Sequence, residues 1–96
     1  MRRKQPRTRC VCIDVDDTLI VDGRLNRKVV RYAQQKREDG FDLVLWSARG
    51  RQYAESTAER HGLVNLFDAI IGKPGYIVDD MGWSWTKYTR NVPNLI

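Results

Sequence analysis

The feature that most constrains this chain is the stretch Cys10 to Asp22, CVCIDVDDTLIVD, where an apolar run ends in three carboxylates, Asp14, Asp16 and Asp17, followed by Thr18 and Leu19. Alternation along a strand puts Val11, Ile13 and Val15 on one face and Cys10, Cys12 and Asp14 on the other, so the carboxylates arrive where the strand runs out. Crowded there, they repel one another unless a cation lies between them, and hard oxygen donors of this kind suit Mg²⁺. The open end of a parallel sheet is also where ligands bind in α/β proteins. The competing reading is a solvated Asp-rich turn.

The rest of the chain supplies a sheet for that strand to join. Thr8 to Asp14 is expected as the first strand. Asp22-Gly23, between Leu19-Ile20-Val21 and Leu25, is the signal of a tight hairpin, expected as a small flap over the acidic turn. Asn26 caps a helix expected to run to about Asp39, with Val29, Val30 and Ala33 as its apolar stripe and Gly40 just past its end. Phe41 to Trp46 reads as a strand buried on both faces, ending in Ser47-Ala48-Arg49-Gly50. A second helix follows, roughly Gln52 to His61, with His61 suited to the C-terminal end of its dipole. Phe67 to Ile71 is a third strand, broken by Gly72-Lys73-Pro74-Gly75, and Tyr76-Ile77-Val78 is a short fourth strand ending in Asp79-Asp80. This alternation is that of an open α/β sheet.

At 96 residues, 42% hydrophobic and 30% charged, the chain has room for one small globular domain and not for two. No run approaches the roughly eighteen apolar residues of a membrane span, and no apolar segment of signal-peptide type directly follows the basic N-terminus. The expectation is a cytoplasmic protein with no membrane contact. The net charge of +5 is carried by Arg2, Arg3, Lys4, Arg7 and Arg9, which leaves the remainder balanced. Residues 1–9 therefore form a basic arm on a domain spanning 10–96, and the arm either holds a nucleic-acid backbone or is a solvated end. Cys10 and Cys12, two apart on one strand face, lack the geometry for a mutual disulfide and the companions for a zinc site, so both are expected to be small buried residues. At the other end, Trp83, Trp85 and Tyr88 alternate with Lys87 and Arg90. They either form a stacking platform for bases or close one side of an undersized core.

Each expected strand end carries a polar group: Asp14, Asp16 and Thr18, then Ser47, then Lys73, then Asp79 and Asp80. Phosphoryl transfer needs a nucleophile, a proton donor for the leaving oxygen, a metal, and hydrogen-bonding or cationic groups around the transferred oxygens. In order and placement these residues resemble the haloacid dehalogenase-like superfamily of phosphohydrolases, from Val11 to Asp80. The resemblance implies a small Rossmann-like open parallel sheet with flanking helices. It also implies a Mg²⁺-dependent phosphomonoesterase in which Asp14 attacks phosphorus, forming an aspartyl phosphate that water hydrolyses. Asp16 would protonate the leaving alcohol and then serve as base for that water. Thr18 would hold the turn and orient Asp16, Ser47 would hydrogen-bond a phosphoryl oxygen, and Lys73 would neutralise charge shared by Asp14 and the phosphoryl group. Mg²⁺ would be held by the Asp14 carboxylate, the Asp16 backbone carbonyl and Asp79, with Asp80 direct or through water.

Two departures from the family pattern matter. Asp17 stands where the family most often has Gly, although Asp tolerates left-handed backbone. Too few residues separate Asp14 from Ser47, or Lys73 from Asp79, to hold a cap domain, which implies a capless member. Such a site is open and wet unless the protein forms a homo-oligomer or takes a large substrate. Ser47-Ala48-Arg49-Gly50 is similar to the Ser-Gly-Arg stretch of polynucleotide kinase phosphatase domains, which would let Arg49 grip a substrate phosphate bidentately and points to a nucleotide or nucleic-acid end. The family's fifth strand is either missing or supplied by the last residues.

Two other classes stay open. One is a phosphoacceptor module of the receiver type, although a receiver places its acidic pair first and its Lys last. The other is a catalytically weak nucleic-acid-binding relative that uses the arm and the C-terminal aromatics.

Overall fold

The structure, a computed structural model, describes residues 7–96, so Arg2, Arg3 and Lys4 of the basic arm lie outside the described residues. Strand β1 is Cys10–Asp14, and a short hairpin follows from β2, Ile20–Val21, and β3, Arg24–Leu25. The hairpin turns on Asp22 and Gly23, both at positive φ (52° and 74°), as a two-residue turn matched to strand twist requires. Helix α1, Arg27–Glu38, begins where the Asn26 side chain accepts from the Lys28 amide and ends at Asp39, with Gly40 in the left-handed region after it. Strand β4, Asp42–Ser47, then leads through Gly50 into α2, Arg51–Arg60, and β5, Ala69–Gly72, closes the sheet.

The three main strands are parallel in the order β1-β4-β5, with Ile13 beside Leu45 and Leu45 beside Ile70. Both connections step the same way along the sheet, and right-handed crossovers therefore put both helices on one face. Val29 and Ala33 of α1 and Ala54 and Ala58 of α2 accordingly share a single core with Ile13, Val15, Leu19, Leu43, Leu45 and Phe67.

The opposite face has no such cover, which corrects one expectation. Cys10 and Cys12 are exposed, because the strand face they share with Asp14 is the one no helix covers. The continuous apolar run of β4 is likewise buried on only one side: Leu43, Leu45 and Ser47 are buried, while Val44 and Trp46 are half-buried.

The expected fourth strand is also corrected. Beyond Gly72, Tyr76 to Val78 belong to no strand, with Tyr76 97% exposed and Val78 fully so. Pro74 has no amide to donate, and three apolar residues without a helix above them recover too little burial to offset the ordering of their backbone. The C-terminal aromatics do not close the core either. Gly82–Tyr88 is a 3₁₀ segment in which Trp83 is 73% exposed. No fifth strand forms from the last residues, where Pro93–Leu95 is a 3₁₀ turn that seats Leu95 against the core. The α/β class with a small helix-flanked parallel sheet therefore holds. No helix among the described residues is long and apolar enough to cross a membrane.

Candidate active site

Parallel pairing brings the C-terminal ends of β1, β4 and β5 to one edge. Asp14 closes β1 opposite Trp46, and Ser47 closes β4 opposite Gly72, directly before Lys73. The Lys73 amide donates to the Ser47 carbonyl at 2.8 Å, and the Lys73 ammonium lies 6.0 Å over the Trp46 ring. Asp14 and Trp46 share the uncovered sheet face, so Lys73 sits on the same side of the sheet as Asp14.

The acidic turn is folded by its own backbone. Amides of Thr18 and Ile20 donate to the Val15 carbonyl at 3.3 and 2.9 Å, the Leu19 amide to the Asp14 carbonyl at 3.2 Å, and the Asp17 amide to the Ile20 carbonyl at 2.8 Å. Asp17 adopts φ 60°, so the left-handed position is filled by an Asp, as its short polar side chain allows. Leu19, buried in the core, anchors the turn from below. Thr18 takes part through its backbone, and its carbonyl accepts from the Asn26 amide nitrogen Nδ2 at 3.1 Å.

Asp16 is the most heavily braced member of the set. The Tyr53 hydroxyl donates to Asp16 Oδ1 at 2.6 Å, and Arg49 Nη1 lies 3.7 Å from Oδ2. The Arg49 guanidinium in turn stacks over the Tyr53 ring at 4.0 Å from its centre. Hydrogen bonding to Asp16 raises the Tyr53 phenol pKa, with desolvation adding to the rise and the Arg49 charge opposing it, so the hydroxyl stays a donor. Arg49 is thus placed on Asp16 and Tyr53. An exposed ion pair of this length is worth little, and a phosphate would compete for the guanidinium at small cost.

Ser47 is 2% exposed and its hydroxyl accepts from the Arg49 amide at 3.0 Å, with its side chain on the helix-covered face that Leu43 and Leu45 share, opposite to that of Asp14. An open cleft of about 580 Å³ is lined by Arg49, Gly50, Arg51, Gln52, Ile71 and Gly72.

The expected metal ligands do not come together. Asp79 is turned back on its own chain, its Oδ1 accepting from the Met81 amide at 2.8 Å and its carbonyl from the Gly82 amide at 3.0 Å. Asp80 is exposed beside it. Without the fourth strand nothing carries this pair to the sheet edge, and no three carboxylate, Cys or His side chains among the described residues gather as a cation site. As arranged, Asp14, Asp16, Asp79 and Asp80 do not fit a Mg²⁺ cage. The edge holds Asp14, Asp16, Ser47 and Lys73, with Arg49 beside Asp16.

Reading the sequence missed Tyr53. The residue lies four positions after Arg49, but its partner lies 37 positions away, and no spacing rule reports a contact of that range. Compared with models of known protein families, with curated proteins and with solved structures, the chain matches none.

Proposed function

We propose that the chain is a phosphomonoesterase of the haloacid dehalogenase-like kind, without a cap, acting on a phosphorylated substrate such as a nucleotide or a nucleic-acid end. An Asp14 oxygen attacks phosphorus as the bond to the leaving oxygen breaks, and Asp16 gives that oxygen its proton. Water then attacks the aspartyl phosphate and loses a proton to Asp16, releasing phosphate and restoring both carboxyl groups. Lys73 offsets the repulsion between Asp14 and an anionic phosphoryl group, and Ser47, buried at the end of β4, holds the loop that carries Arg49 through the Arg49 amide. The observation that carries this reading is that parallel pairing brings Asp14 and Lys73 to the same face of one sheet edge, with Asp16 two residues beyond Asp14 and Ser47 buried at the end of the neighbouring strand. Asp14 and Asp16 are hard oxygen donors of the kind Mg²⁺ favours, and the comparison of Mg²⁺ with EDTA below asks whether the reaction needs that cation.

The test is phosphate release from an aryl phosphate, mononucleotides and 3′- and 5′-phosphorylated oligonucleotides, with Mg²⁺ and with EDTA, using Asp14→Asn as the blank. Release by the wild type that Asp14→Asn lacks supports the reading, and the best member of the panel names the substrate class. Release that survives Asp14→Asn removes the nucleophile. A second reading, a nucleic-acid-binding module, is favoured by the exposure of Trp83 and Tyr88 and by Lys87, 5.2 Å over the Tyr88 ring. It predicts no phosphate release and oligonucleotide binding that weakens as salt rises.

A further inference from the structure

We propose that Tyr53 is a positioning residue for Asp16: its hydroxyl fixes the carboxyl group that passes a proton to the leaving alcohol, and the Arg49 guanidinium holds the phenol ring in place. The inference rests on the phosphomonoesterase reading above and assigns a task to a residue which that reading does not use.

The geometry distributes the two oxygens of Asp16 between two partners. Tyr53 donates to Oδ1 at 2.6 Å, a short contact of the kind formed by hydroxyl and carboxylate, while Arg49 stands 3.7 Å from Oδ2. An oxygen that already accepts a hydrogen bond is the poorer carrier of a proton. Oδ1 is thereby committed to Tyr53, and Oδ2 is the oxygen that exchanges the proton with the leaving alcohol. As the phosphorus–oxygen bond breaks, that proton moves to the departing oxygen and Asp16 is left as a carboxylate that both partners can hold. When water later attacks, Oδ2 takes the proton back.

Position also favours this division of labour. Asp16 sits on a turn held by backbone bonds, by buried Val15 and Leu19 and by Asn26 on the Thr18 carbonyl, none of which hydrogen-bonds its carboxylate. Tyr53 belongs to the first turns of α2, the helix whose Ala54, Thr57 and Ala58 are buried in the core, and it packs against that core itself. The phenol is thus a rigid arm, stacked on one side by Arg49 at 4.0 Å.

The experiment follows release of the alcohol in a single turnover, with an alkyl phosphate and an aryl phosphate as substrates. The enzymes are wild type, Tyr53→Phe, Asp16→Asn and the double variant, with thermal unfolding compared across all four. An alkoxide needs its proton and an aryl oxide with an acidic phenol does not. Tyr53→Phe should slow release from the alkyl ester about tenfold, a part of the roughly 10²–10⁴ a general acid supplies, with KM unchanged and little effect on the aryl ester. In the Asp16→Asn background the same substitution should change nothing. Equal loss on both esters, a loss that persists in that background, or no loss at all overturns the role of Tyr53 and leaves the phosphatase reading standing. No release by the wild type from either ester overturns that reading and the positioning role together.

Discussion

Asn26 does three things with one short side chain. Its Oδ1 caps α1 by accepting from the Lys28 amide at 3.1 Å, and its Nδ2 donates to the carbonyls of Thr18 at 3.1 Å and Leu95 at 2.9 Å. The acidic turn, the first helix and the C-terminal turn meet there. Asn26→Ala should cost about 2 kcal/mol, more than a lone cap, because two partly buried carbonyls also lose their donor. Urea unfolding measures it, and Asn26→Asp, which keeps the cap acceptor but turns a carboxylate oxygen toward both carbonyls, should not restore the loss. An unchanged midpoint in both would mean that water replaces the side chain. Cys12 offers a second test at this scale. Partial burial, the Cys10 charge and a hydrogen bond to Cys10 push its thiol up to about 11. Only the thiolate alkylates, so the rate at Cys12 in the native protein should climb about tenfold per pH unit from roughly pH 8 to pH 10. A rate that levels off near pH 8.5, where a free thiol titrates, contradicts that environment.

The junction between β4 and α2 decides where Arg49 and Tyr53 stand. Gly50 occupies φ 104° and ψ 168°, a region closed to residues with a Cβ, and its amide donates to the Ser47 carbonyl at 3.0 Å. Gly50→Ala should cost about 1–3 kcal/mol and lower the melting temperature, while also displacing the pair that braces Asp16. A melt like that of the wild type contradicts the strain. Elements such as these were legible where the signal is local. The Asp22-Gly23 hairpin, the Asn26 cap, the Gly40 stop and the three paired strands all follow from residues close in the chain. What lay beyond reach was non-local. The brace from Tyr53 to Asp16 depends on two strands lying side by side, and the failure of Tyr76 to Val78 to form a strand depends on which sheet edge and face find a partner.

At the scale of the whole molecule, one core on one face of a three-stranded sheet carries the stability. Leu45 is fully buried between the helices and the sheet, and Leu45→Ala should cost about 3 kcal/mol, a large share of the roughly 5–15 kcal/mol typical of a domain. Val78→Ala, at a fully exposed position, should change stability by less than about 0.5 kcal/mol. A large loss at Val78 would mean that its segment packs as a strand after all. The covered face was readable from apolar periodicity. The bare one was not, because the apolar run of β4 reads the same whether one side or both are covered. Asp14 could be placed at the sheet edge from sequence because it ends a strand, whereas the expected metal set relied on a strand that does not form. In the proposed reaction Asp14 forms a covalent phosphoryl intermediate. Asp16→Asn, which lacks the base for hydrolysis, should accumulate it, so peptide mass analysis after incubation with an aryl phosphate should find one phosphoryl group on Asp14. No adduct, or an adduct on another residue while phosphate is still released, would contradict the account.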